Sequence, residues 1–155
     1  MNFLKSNAVK YGFIMTVLTG VWILLMHFTG QYDNKENISG PTDLAFIFIV
    51  PLVVWYFGIS ARKKELGGKL SFKEGFMEGA KISLVYAVLS PFVYLKYYLF
   101  LNPEILGFIR SEYGLNRAND AVVILVDMST QFVSAIIGGT IYAAIISFFL
   151  RSKSA

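Results

Sequence analysis

The chain has 155 residues, of which 55% are hydrophobic and only 15% are charged, and its formal net charge is +4. A typical soluble domain is about 45–50% apolar and about 25% charged, and a soluble fold of this length cannot hide so much apolar surface. The composition excludes a disordered or collagen-like chain and argues against a soluble enzyme. It indicates a small integral membrane protein.

The first candidate span covers residues 11–29, which are predominantly apolar and long enough for a membrane-crossing helix of about 20 residues. Lys5 and Lys10 precede it, as basic residues precede the apolar core of a signal peptide. However, the stretch is longer than such a core, which spans about 7–15 residues, and no small-residue cleavage pattern follows. We therefore predict an uncleaved first span.

Three further apolar segments have the length of a span, at residues 41–60, 72–101 and 121–150. Ser71 and Glu74 form a capping-box pattern that predicts the start of the third helix. Pro51 and Pro91 lie inside the second and third segments, where a proline is expected to kink a helix. The prediction is an all-α, integral membrane four-helix bundle, formed by a single membrane domain over residues 1–155.

A short helix is predicted over residues 103–113, between spans three and four. The Asn-Pro-Glu sequence at 102–104 is typical of a helix start. Leu106 and Ile109 then recur at helical spacing, and Gly114 is expected to end the helix. The pattern predicts an amphipathic helix lying on the membrane surface; the alternative is a loop with a chance apolar pattern.

The distribution of positive charge predicts an orientation. In a four-span chain one side carries nine of the 14 basic residues: Lys5, Lys10, Arg62, Lys63, Lys64, Lys69, Lys73, Arg151 and Lys153. The other side carries only Lys35, Arg110 and Arg117. The positive-inside rule then puts both termini and the 61–73 loop in the cytoplasm of a bacterial inner membrane. Topology accounts for the basic loop; binding of anionic lipid is the alternative, and no nucleic-acid partner is expected.

Ionisable residues inside spans are costly and suggest functional sites. Asp127 and Gln131 lie on one face of span four, while Lys96 and His27 lie near the outer ends of spans three and one. We predict that these four residues form a polar cluster with a Lys96–Asp127 pair as its main contact. The alternative is that these near-interface charges simply extend to water.

Two other features of spans three and four predict helix contacts. Glu78 and Lys81 are spaced for an ion pair on one helix face near the cytoplasmic boundary. Small residues recur at helical spacing and predict close helix packing, within the chain or between chains: Gly75, Gly79, Ala135, Gly138 and Gly139.

The remaining chemistry is sparse. The chain has no Cys and one His, which excludes disulfides, thiolate metal sites and the HExxH motif. No nucleophile elbow or phosphate-binding loop is present, so we expect no enzyme, no metal and no cofactor. Tyr94, Tyr97 and Tyr98 indicate an aromatic belt at the membrane interface; a ligand cage is the less favoured alternative.

The opening segment NAVKYGFIMT, the segment GISARKKELGGKLSFKEGFMEGAKISLV and the four-span layout resemble the domain of unknown function 4199 (DUF4199) family. That family consists of small four-span membrane proteins typical of Bacteroidota. The resemblance covers nearly the whole chain and implies an inner-membrane protein. It supplies no catalytic residues.

Two functional classes remain open at this stage. The first is an accessory or assembly subunit that binds other membrane proteins or lipids, as a homo-oligomer or with a membrane protein partner, through its small-residue faces. This class requires no specific functional motif in the sequence and is therefore preferred. The alternative is an oligomeric transporter of a small molecule or lipid-linked substrate, using the His27, Lys96 and Asp127 cluster on the outer side.

Overall fold

The computed structural model describes residues 6–33 and 40–152, and within these ranges it contains helices and no strand. The five α-helices are α1 (Asn7–Phe28), α2 (Pro41–Glu65), α3 (Phe72–Lys96), α4 (Ile105–Glu112) and α5 (Asp120–Leu150). A 3-10 turn follows α1, and a π-helical turn, Tyr97–Leu101, continues α3. Three of the basic residues that predict the membrane orientation lie outside the described residues, namely Lys5, Lys35 and Lys153.

Four of the helices are long and apolar enough to cross a membrane, namely α1, α2, α3 with its π-turn, and α5. Their outward faces carry large apolar side chains; Phe100 and Phe149, for example, are each 78% exposed. Such surfaces suit lipid rather than water. The predicted all-α membrane bundle is confirmed in this form, and the apolar excess of the composition lies largely on the outside of the molecule.

Polar side chains define where the helices begin. The Ser71 hydroxyl accepts a hydrogen bond from the Glu74 backbone N–H, and the Glu74 carboxylate accepts one from the Ser71 N–H. This confirms the predicted capping box at the start of α3. Ser6 caps α1 by accepting from the Val9 N–H. Because these side chains satisfy N–H groups that have no partner inside the helix, each helix start is stabilised locally.

Helices α3 and α5 share the most extensive contact in the bundle. It is built from small residues at four-residue intervals: Gly75, Gly79 and Ser83 of α3 face Ser147, Ala143 and Gly139 of α5. A Cβ added at Gly75 would come within 2.7 Å of the Ser147 Oγ. A side chain added at Gly75 or Gly79 would therefore collide with α5, and these small-residue motifs bring the two backbones together within one chain.

The predicted short amphipathic helix between spans three and four is present as α4, and the structure shows what its apolar face contacts. Its apolar residues Ile105, Leu106 and Ile109 are buried, and they pack against a cluster that includes Tyr98 and Val123. Its apolar face therefore covers the end of the bundle rather than lipid. The predicted end is confirmed, since Gly114 follows the helix with φ 66° and the Leu115 N–H bonds to the Arg110 carbonyl.

The opposite end of the bundle is closed by the chain after α5. The Leu70 carbonyl accepts a hydrogen bond from the Ser152 N–H at 2.8 Å, and the Lys63 Nζ donates to the Leu150 carbonyl at 2.8 Å. A cation at the C-terminal end of a helix meets the negative end of its dipole. At least one residue of the basic 61–73 segment therefore also has a structural role.

An aromatic cavity as the candidate functional site

A cavity of about 710 Å³ lies among α1, α2, α3 and α5, with α4 across one end. This size is within the range of about 300–1,000 Å³ that small-molecule sites occupy. Aromatic side chains line much of it, among them Trp22, Tyr32, Trp55, Tyr86, Tyr94 and Tyr98. Three acidic residues also line it: the buried Asp43 and Asp127 and the exposed Glu112. Apolar walls with a few fixed polar groups are typical of a binding site for a small organic molecule.

Asp43 stands in the first turn of α2 and is buried, with 7% of its surface exposed. Its Oδ1 accepts a hydrogen bond from the Trp22 Nε1–H at 2.8 Å and another from the Tyr32 hydroxyl at 3.0 Å. A carboxylate at a helix N-terminus is favoured by the helix dipole. Helix α2 and the turn after α1 are thereby joined at the wall of the cavity.

Asp127 stands on α5 and is 4% exposed. The Tyr98 hydroxyl donates to its Oδ2 at 2.5 Å, and the Tyr113 hydroxyl donates to its Oδ1 at 3.2 Å. Tyr98 belongs to the π-turn after α3, and Tyr113 follows α4. One carboxylate therefore connects three elements through two phenols.

The two phenols outside the spans are held protonated by their surroundings. Burial, and then the nearby Asp43 carboxylate, raise the pKa of the Tyr32 phenol far above its usual range. Burial also raises the pKa of the Tyr113 phenol, with Asp127 adding to the effect. Both groups therefore act as hydrogen-bond donors to their aspartates at neutral pH.

The π-turn brings two consecutive tyrosines to the interior. Tyr97 and Tyr98 are each 3% exposed and both line the cavity. The wider turn of a π-helix changes the angular position of the residues after it, and such turns often occur at functional sites. The prediction that these residues form an aromatic belt is wrong, because Tyr94, Tyr97 and Tyr98 line the cavity. This is the position that the alternative, a ligand cage, would need.

The predicted Lys96–Asp127 pair is not formed in the described part of the chain. Lys96 is exposed, and both oxygens of Asp127 accept from tyrosines instead. Tyr98, only two residues after Lys96, faces Asp127, so Lys96 points to a different side of the helix. His27 contacts the Tyr97 hydroxyl through its Nδ1 at 3.4 Å. It therefore adjoins the tyrosines and not the carboxylate.

The predicted Glu78–Lys81 ion pair is also absent from the described residues. Lys81 is exposed, whereas Glu78 is only 6% exposed. The Glu78 side chain reaches from α3 to the first turn of α1, where the Ala8 backbone N–H donates a hydrogen bond to it. An N–H in the first turn of a helix has no partner inside that helix. Glu78 therefore supplies an acceptor to α1 rather than a partner to its own neighbour.

The small residues of α5 divide into two groups. Gly139 packs against Ser83 and Trp55, as predicted for helix packing. Ala135 and Gly138 line the cavity instead, and a Cβ added at Gly138 would meet nothing within 4 Å. Gln131 also lines the cavity, where its side chain makes no hydrogen bond to the chain as described. Gly138 therefore makes no close helix contact within the described chain, and a contact between chains at this position stays a prediction.

Sequence reasoning missed Asp43 and three aromatic residues that line the cavity, Trp22 of α1, Trp55 of α2 and Tyr86 of α3. A signal was available for Asp43, since it is an acid in the first turn of an apolar span and such residues are functional candidates. For Trp22, Trp55 and Tyr86 the pattern carried no signal, because aromatic residues are frequent throughout the chain. Among the described residues no group of three His, Asp or Glu side chains could hold a metal ion.

Comparison with known proteins identifies a family. A family model described as Protein of unknown function (DUF4199) matches residues 10–152. The chain belongs to the DUF4199 family. The resemblance seen in the sequence is thus confirmed, and the matched range includes every residue that lines the cavity of this DUF4199 protein. No curated protein and no solved structure matches the chain.

Proposed function

We propose that this DUF4199 protein binds a small amphipathic molecule in the aromatic cavity and carries it across the membrane. The observation that supports the proposal is the cavity itself, about 710 Å³ in volume and lined by aromatic side chains and three acidic residues. A packed four-helix bundle without a ligand would fill such a space with side chains. The proposed role is transport rather than catalysis, because the two buried carboxylates, Asp43 and Asp127, are already engaged by phenol and indole donors.

The cavity has a route from the bilayer. Ile47 of α2 and Ser134 of α5 both line it and both remain exposed on the molecular surface. These helices are joined nearby by the Tyr142 hydroxyl, which donates to the Ile47 carbonyl at 3.1 Å. A molecule dissolved in the lipid can therefore enter between α2 and α5. Lateral entry favours a ligand with an apolar body.

The proposal includes a location and an orientation. The positive-inside rule supports a bacterial inner membrane with both termini in the cytoplasm. In that orientation α4, Asp43 and Asp127 lie toward the outer side. The cavity would then open to the outer half of the bilayer, and the small-residue interface of α3 and α5 would extend toward the cytoplasmic half.

Filling the cavity at Gly138 tests the proposal. Leucine at this position meets no atom at its Cβ and extends into the cavity. Gly138→Leu is therefore expected to fold and to lose the bound molecule. The measurement is mass spectrometry of the organic extract from protein purified in native lipid. A small molecule present at near-stoichiometric amounts in the wild type should fall several-fold in the variant.

Gly107→Leu is the matched control. Gly107 lies on α4, is exposed, does not line the cavity and has nothing within 4 Å of an added Cβ. Both changes replace a helical glycine by leucine, which favours the helix similarly. The control should retain the molecule. Equal extracts from the wild type and Gly138→Leu would contradict the proposal.

An accessory role is the second candidate, and one observation favours it. Ser134 is an exposed polar residue within a span, next to the open surface at Gly138. A helix from a partner or from a second copy could cover this surface and satisfy the hydroxyl. The same purification distinguishes the two roles, because a stoichiometric protein partner lost in Gly138→Leu would favour the accessory role.

A further inference from the structure

Asp127 is a buried acid without a cationic partner in the described chain. Its two oxygens accept from the Tyr98 and Tyr113 hydroxyls, and no Lys, Arg or His lies within ion-pair distance of it. Phenols are neutral donors: they stabilise a carboxylate but do not cancel its charge. An acid at this depth in a membrane protein normally has a counter-charge or takes part in moving one.

The walls around Asp127 suit a positive ligand. Tyr94 and Tyr98 line the cavity and lie with their ring centroids 6.3 Å apart. The face of an aromatic ring carries negative potential and attracts ammonium-type cations. Asp43 and Glu112 add two more carboxylates to the same cavity. None of the described lining residues is basic, so the walls around a ligand carry negative charge.

The remaining walls suit an apolar body on the same ligand. Ile23, Phe46 and Ile47 line the cavity together with the aromatic residues. A hydrated metal ion would gain nothing from such walls, whereas an organic cation would bury hydrocarbon against them. The exposed edge at Ile47 and Ser134 gives a lipid-dissolved molecule access.

From this geometry we propose that the cavity binds an amphipathic organic cation, with its charged group between the Asp127 carboxylate and the tyrosine rings. The inference rests on the proposed binding function and names the class of ligand. Charge selects the ligand, and the apolar walls hold its body. A neutral or anionic molecule of the same shape would leave Asp127 without a counter-charge.

A pair of ions of nearly equal size and opposite charge tests the inference. Tetraphenylphosphonium and tetraphenylborate differ mainly in the sign of their charge. The full chain is placed in nanodiscs of neutral lipid, and binding is followed by tryptophan fluorescence, because both tryptophans of the chain line the cavity. Tetraphenylphosphonium is expected to bind and tetraphenylborate is not. Equal binding of the two ions, or no binding of the cation, would overturn the inference.

Asp127→Asn measures the contribution of the charge. The amide can still accept a phenol hydrogen bond, so the fold is expected to persist, while the affinity for tetraphenylphosphonium should fall by about 10- to 100-fold. Asp120→Asn is the control on the same helix, since Asp120 is exposed, pairs with Arg110 and does not line the cavity. An unchanged affinity in Asp127→Asn overturns the inference. If that variant does not fold, the two ions on the wild-type chain decide alone.

The two proposals fail in different ways. If Gly138→Leu loses a native small molecule but tetraphenylphosphonium does not bind, the carrier proposal stands and the cation inference falls. If tetraphenylphosphonium binds equally to the wild type and to Gly138→Leu, the cavity is not the binding site of the cation and the cation inference falls. The carrier proposal falls only if the native small molecule is also retained by Gly138→Leu.

Discussion

At the scale of single residues, two adjacent glycines of α5 have different surroundings: one is in close helix contact and the other borders the cavity. Gly139 faces α3 and α2, where an added Cβ would lie 2.7 Å from the Ser83 Cβ of α3 and 2.9 Å from the Trp55 ring of α2. Gly138, turned about 100° around the helix, faces the open cavity. The glycine pattern alone predicts close packing but does not show which glycine of the pair is in contact.

Alanine substitutions at these positions distinguish the glycine in close helix contact from the glycine that borders the cavity. Gly139→Ala should lower the free energy of unfolding by about 1–3 kcal/mol, because the new methyl group overlaps α3. Gly138→Ala should leave stability unchanged or raise it slightly, since alanine favours the helix. Thermal unfolding of both variants in the same detergent measures this. Equal melting temperatures for the two would contradict the close α3–α5 contact.

The site residues also show what sequence could and could not predict. Asp127 was predicted from its place in an apolar span, because an intramembrane acid is conspicuous in sequence. Its partners were not, because opposite charge favoured Lys96 whereas the π-turn presents Tyr98 to it. A π-turn adds a residue to one helical turn, and nothing in the sequence YYLFL marks that addition.

At the scale of elements, α4 shows that an amphipathic pattern predicts a face but not its partner. Leu106 and Ile109 were predicted on one apolar face, and both are buried. Their contact is the bundle, which the sequence could not distinguish from lipid because both are apolar. The position of α4 matters for the site, since Tyr113 at its end donates to Asp127.

Leu106→Ala tests whether α4 is part of the folded core. Because Leu106 is 6% exposed, the variant should lose about 2–5 kcal/mol of stability. Leu99→Ala is the control, since Leu99 is 52% exposed on the outer face of the π-turn, and it should change stability much less. Unfolding of both variants by heat or denaturant in detergent gives the comparison. Similar small losses for both would favour a helix lying on the membrane.

At the scale of the whole molecule, the number of apolar helices could be predicted but the cavity could not. Hydropathy and length define the spans one at a time. The cavity depends on side chains from all five helices, whose relative rotation is set by packing between them. The small-residue motifs indicated that packing, yet the sequence alone left open whether it was within or between chains.

The orientation can be tested directly because the chain contains no Cys. Lys69 and Asn116 are exposed in the connections at opposite ends of the bundle. In intact cells whose outer membrane has been permeabilised, a membrane-impermeant maleimide should label Asn116→Cys and not Lys69→Cys. Disrupting the inner membrane should expose both sites. The reverse pattern would place the termini outside and contradict the positive-inside assignment.

The close contact of α3 and α5 has a mechanical consequence. Two helices whose backbones interlock through Gly75, Gly79 and Gly139 cannot roll or slide past each other without collision. They form a rigid frame. Helix α2 contacts α5 less extensively than α3 does, through Trp55 against Gly139 and through the Tyr142 hydroxyl. If the cavity opens toward lipid, we expect α2 to move, because its contact with α5 is smaller than that between α3 and α5.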